Sequence, residues 1–129
     1  MAVGLSSANV AALWLGSVQG SGATAATART TIFGQLHIGD PGAAGTSNVA
    51  NASTRVAFNF TVSGGTMSLS GSPVFTGTAT ETINNISFWT ASTSGTFLWS
   101  AALTTPRAIN ASDTLTFTAA GITITPLAA

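Results

Sequence analysis

The chain has 129 residues, 45% of them hydrophobic, and a formal net charge of zero at pH 7, which bounds it to one domain with one core. Only Arg29, Asp40, Arg55, Glu81, Arg107 and Asp113 carry charge, and three scattered arginines cannot neutralise a nucleic-acid backbone. The lack of cysteine excludes disulfides and thiolate metal sites, and no stretch approaches the ~20 apolar residues of a membrane span.

Read in chain order, Ser6–Val18 is the one convincing helix. Val10, Leu13, Trp14 and Val18 fall on a single apolar face, Ser6 or Ser7 caps the start, and Gly20 ends it. Three turns are marginal alone, so the helix must dock on something. The opening "MAVGLSSANVAALWLGSVQGSG" has a short apolar run but lacks the basic region of a signal peptide. The segment "GSGATAATART", Gly20–Thr30, is small and polar and reads as an extended arm.

From Ile32 the period changes to two. In "TIFGQLHI", Ile32, Leu36 and Ile38 share one face, and Phe33, Gln35 and His37 share the other. In "RVAFNFTV", Val56, Phe58, Phe60 and Val62 face one way, which makes Phe58 and Phe60 core residues. A Gly64-Gly65 turn then predicts a hairpin into "TMSLS". Further strands are expected over Ile83–Thr90, Thr96–Leu103, Asp113–Ala119 and Gly121–Leu127. This spacing predicts a mainly β domain, an antiparallel sandwich of jelly-roll type, over residues 31–129. Residues 1–30 form its N-terminal helix and arm, with a docking or assembly role.

The only histidine, His37, lies beside Asp40 in "LHIGDPGAAGTSN". A His-Asp pair suits general base catalysis, but no serine sits in a nucleophile elbow to complete it. The turn-forming reading is preferred: Asp40 caps its own backbone, Pro41 presets φ, and Gly42 takes positive φ. Gly42–Ser53 then becomes a long connection to the strand at Arg55. No catalytic, cofactor-binding or metal-ligating residue is assigned, since Asp40, Glu81, Asp113 and His37 share no ligand spacing. The triplets at Asn51, Asn59, Asn85 and Asn110 match the glycosylation pattern by chance in a chain so rich in Ser and Thr.

The stretch "ISFWTASTSGTFLW" puts Phe88, Trp89, Phe97 and Trp99 on two strands around one turn. Alternation sets Phe88 against Trp89, and Leu98 against Phe97 and Trp99, so both faces carry large apolar groups. Burial in a doubly covered core is the first reading, a subunit contact through Trp89 and Trp99 the second, and a sugar-stacking platform the third. A surface with 5% charge and no net charge favours self-association.

The order of motifs resembles a known family. "LHIGDPGAAGTSNVANASTR", "ETINNISFWTASTSGTFLWSAALTTPRAINASDTLTF" and the ending "ITITPLAA" are similar to blocks of a small virion-protein family of actinobacterial tailed phages and prophages. Its members are usually labelled tail fibre or minor tail protein. The helix and arm match it only loosely, and Ile86 stands where its pattern has Val. The resemblance implies a virion structural protein without enzymatic activity or cofactor. Read from the residues themselves, the low charge and the apolar faces point to self-association, as a homotrimer, and to contact with other virion proteins through Val10, Leu13, Trp14, Val18, Trp89 and Trp99. A capsid decoration protein is the alternative. A module binding a host-surface glycan is the second alternative.

Overall fold

The computed structural model describes residues 3–11, 14, 29, 31–51 and 54–124. Among these, nine strands dominate: β1 (Gly4–Leu5), β2 (Ile32–His37), β3 (Val56–Ser63), β4 (Thr66–Ser70), β5 (Val74–Thr76), β6 (Glu81–Trp89), β7 (Phe97–Ile109), β8 (Thr114–Thr116) and β9 (Gly121–Thr123). Seven form one antiparallel sheet in the order β1-β7-β6-β2-β3-β4-β9, curled into a half-barrel. The remaining pair, β5 and β8, is a two-stranded ribbon. The fold is of the β-sandwich class, with that ribbon as its smaller layer.

The core lies between the curled sheet and the ribbon. Phe58 of β3 is fully buried, with Phe75 of β5, Phe88 of β6 and Phe117 beyond β8 at ring-centroid distances of 6.1, 5.2 and 5.5 Å. Leu36, Ile83, Ile86 and Trp99 complete the cluster. β3 follows the alternation in its sequence as far as Phe60, but Val62 emerges 75% exposed where the strand runs beyond the ribbon's cover. The β3–β4 hairpin turns on Gly64 and Gly65, with φ of 54° and 79°. Two consecutive positive φ values suit the right-handed twist of the flanking strands.

Two irregularities between β6 and β7 redirect side chains. Ile83 pairs with Arg107 while Asn85 pairs with Ala102, so Leu103–Pro106 bulge out opposite Asn84. Pro106 has no N–H for a ladder and is accommodated in that unpaired stretch. This lets β7 run to Ile109, well past the Leu103 expected from sequence. The slip also switches faces, so that Ile83, Ile86 and Phe88 all reach the core despite their odd-even spacing. The second irregularity pairs Phe88 with Trp99 but Trp89 with Phe97, leaving Leu98 as the extra residue. Trp99 stacks on Phe88 at 4.4 Å, and Phe97 packs on Trp89 at 5.5 Å. Phe97 and Trp99 therefore lie on opposite faces, contrary to strict alternation.

At the N-terminus, β1 pairs with β7 through Gly4↔Ser100 and Leu5↔Trp99. A single π-helical turn, Ser7–Ala11, follows. Val10 and Ala11 both donate to the Ser6 carbonyl at 3.1 Å, and Ser6 Oγ accepts from Asn9 N at 3.3 Å as an N-cap. Asn9 Nδ2 donates to the Phe97 carbonyl at 3.0 Å, fixing the turn to β7. Trp14 is helical as well; Leu13 and Val18 of the expected Ser6–Val18 helix lie outside the described residues, as does most of the arm. β8 and β9 are shorter than the expected Asp113–Ala119 and Gly121–Leu127, and residues 125–129 lie outside the described set.

Candidate functional site

His37 ends β2 with its side chain on the face opposite the aromatic core, and it is fully buried. The connection after it folds back: Val49 bridges to His37, Ala50 N donates to Leu36 O at 3.0 Å, and Ile38 N donates to Asn48 O at 2.9 Å. The imidazole is held at both nitrogens. Nδ1 lies 2.7 Å from the Ser47 carbonyl and Nε2 lies 2.7 Å from Ser87 Oγ. A carbonyl only accepts, so Nδ1 carries the proton and Nε2 accepts from the Ser87 hydroxyl. Ser87 Oγ in turn accepts from the Trp89 indole N–H at 2.8 Å. Burial, foremost, holds the His37 pKa below its ordinary value of 6.5. The Ser47 carbonyl opposes that shift and the Arg55 guanidinium adds to it.

A serine hydroxyl 2.7 Å from an imidazole has the spacing of a nucleophile and its base. Here both residues are fully buried, and the serine oxygen also accepts a hydrogen bond from the Trp89 indole N–H. The second ring nitrogen donates to the Ser47 main-chain carbonyl, in the place that a carboxylate takes in a Ser-His-Asp triad. The group works as a polar rivet that fastens the 38–50 connection to β2 and β6. Ser47 and Ser87 lie 10 and 50 residues from His37, so no local sequence signal marks them.

Asp40 belongs to the turn. Its Oδ1 accepts from Gly42 N at 2.9 Å, its carbonyl accepts from Asn48 Nδ2 at 2.8 Å, and Gly42 has φ of 73°. Pro41 is buried, and its carbonyl accepts from Ser47 N at 2.9 Å. The connection seals the outer aromatic pair. Gly45, at φ of 73°, lies so close to Phe97 that a Cβ there would stand 2.4 Å from the ring. The Arg55 guanidinium covers Trp89 at 3.8 Å from the ring centroid. Arg55 also donates to Gln35 Oε1 at 3.1 Å and to the carbonyls of Ala91 and Ser94.

Trp89 and Trp99 are consequently only 6% and 7% exposed. Both are enclosed by their own chain, which removes them from the surface offered to a neighbouring subunit or a sugar. Trp14, by contrast, is 44% exposed. With Leu5 and Val10 it forms one wall of an apolar groove of about 430 Å³, and Val62, Met67, Ile122 and Ile124 line the other wall. The groove lies where the two edge strands of the half-barrel, β1 and β9, leave it unclosed. Among the described residues no group of three or more His, Asp or Glu could hold a metal ion.

Fold and surface together define a β-structured building block, with His37, Ser87, Trp89 and Trp99 enclosed and an uncharged apolar groove outside. The chain belongs to the family of the podophage GP4 fiber I protein gp80, whose family profile matches residues 8–125. It is a phage fibre-type protein and a component of the virion. No individually curated protein matches it.

Proposed function

We propose that this chain is a structural subunit of a phage tail fibre or minor tail assembly, working by self-association and by packing on the particle. The observation that carries the reading is the family match across residues 8–125. The 5% charge supports it, because such a surface is suited to being covered by identical neighbours. The assembly proposed is a homotrimer contacting other virion proteins, in a phage of actinobacterial hosts. The subunit acts without catalysis or cofactor, consistent with a Ser87–His37 pair closed to substrate. Reconstruction of the intact particle tests the proposal: density for this chain on the tail is expected. Density spread over the head shell would replace the reading with capsid decoration.

A further inference from the structure

We infer that the groove between β1 and β9 is the surface through which copies of this chain join, an inference that rests on the self-association reading above. Seven large hydrophobic side chains are exposed among the described residues, and four of them, Leu5, Trp14, Val62 and Ile124, line this one groove. Apolar side chains scattered singly over a surface need no partner, whereas a concentrated patch marks an interaction site. No lining residue is charged, and the polar side chains are those of Thr66 and Thr123.

The groove is also where the sheet is open. Strands β1 and β9 are its two edges. Soluble proteins blunt such edges with charges, proline or bulges, because unpaired main-chain groups are templates for another strand. Gly4–Leu5 and Gly121–Thr123 carry no charge and no proline.

Charge selects the occupant. An ordinary soluble partner carries charge on about a quarter of its residues. Seating such a surface here would strand charges against an apolar wall. This chain carries six charges in 129 residues. Four of those are already engaged within it: Asp40 with Gly42 N, Arg55 with Gln35, Glu81 with Asn51 N, and Asp113 with Asn110. A second copy therefore brings an uncharged face to an uncharged groove.

The test is sedimentation of the full chain over a micromolar concentration series, comparing the parent with Val62→Arg, Ile124→Lys and Val74→Arg. Val62 and Ile124 are exposed groove residues, and Val74 is an exposed apolar residue on β5, away from the groove. The expected result is an associating parent, at least tenfold weaker association in both groove variants, and no change in Val74→Arg. Should a groove variant lose its far-UV strand signal, acrylamide quenching of the unaltered chain decides instead. Trp89 and Trp99 are buried, so the quenchable tryptophan is Trp14, and its quenching should fall as the chain associates. A parent monomeric at every concentration overturns the self-association reading itself. An associating parent with unaffected groove variants, with Val74→Arg equally disrupted, or with undiminished Trp14 quenching overturns the groove assignment alone.

Discussion

Replacing Phe58 by alanine removes the centre of the aromatic core. The ring is fully buried and meets Phe60, Phe75, Phe88 and Phe117 at centroid distances of 6.3, 6.1, 5.2 and 5.5 Å. Its surroundings cannot close over the vacancy. Gly34 lies against the ring so tightly that a Cβ there would be 2.6 Å from Cε2, and β2 is held in place by β3 on one side and β6 on the other. Buried Phe→Ala changes cost about 3–5 kcal/mol, and poor collapse places this one near the top, at about 4–5 kcal/mol. That is a large share of the ~5–15 kcal/mol that holds a domain folded. At a few degrees per kcal/mol, the melting temperature should fall by roughly 10–20 °C. Thermal and urea unfolding followed by circular dichroism measure it. Phe60→Ala, on the same strand but only half-buried, should cost clearly less. A Phe58→Ala protein melting within a few degrees of the parent, or a larger loss for Phe60→Ala, would refute this account of the core.

The remaining expectations concern the 38–50 connection and its rivet. Because the folded His37 pKa is lowered, the native state binds fewer protons than the unfolded one below the ordinary value of 6.5. Its contribution is fully present above about pH 6.5 and is lost as pH falls below it toward the folded pKa, with a slope of at most about 1.4 kcal/mol per unit. Urea titrations across this range should show that slope in the parent and not in His37→Gln. Gly45→Ala combines a left-handed φ with collision against Phe97 and should cost roughly 2–5 kcal/mol, whereas Gly64→Ala, with open space around it, should cost only about 1–2 kcal/mol; equal losses in thermal melts would show that Phe97 does not press on Gly45. Asp40→Asn keeps the acceptor for Gly42 N and should melt within about 3 °C of the parent, while Asp40→Ala loses about 0.5–1.5 kcal/mol with that hydrogen bond.

Where one face of a strand meets one continuous surface, alternation is a faithful guide. Phe58 and Phe60 illustrate it, and so does the separation of Leu36 from His37 on β2. The pattern says nothing about where cover ends, which is why Val62 carries the same signal as Phe58 yet stands exposed. It also fails where the ladder slips. One extra residue at Leu98, and three where Leu103–Pro106 face Asn84 alone, each reset which side a residue faces, and Pro106 is the one sequence mark of either event. The ribbon strand β5 was not legible, because three residues around a lone Phe75 are too short for a period.

The candidate site fails for a different reason, and that reason bears on function. His37, Asp40 and the glycines between Gly39 and Gly45 are conspicuous because each residue type is rare or conformationally special, and reactive loops share that composition. What separates a reactive group from a structural one is access, and access is decided by residues distant in sequence. Ser47 and Ser87 occupy the two imidazole nitrogens, Trp89 closes the serine, and Phe97 presses against Gly45 from above. The His37 contacts turn polar groups inward, and together with the Phe97–Gly45 contact they tie the connection down. The same connection, with Arg55, covers the Trp89–Phe97 pair on the face away from the aromatic core. With that face closed by the chain itself, exposed apolar surface concentrates at the unclosed seam of the half-barrel. In the assembly we propose, this seam is the uncharged face kept for neighbouring copies, and the rest of the domain holds that face in shape.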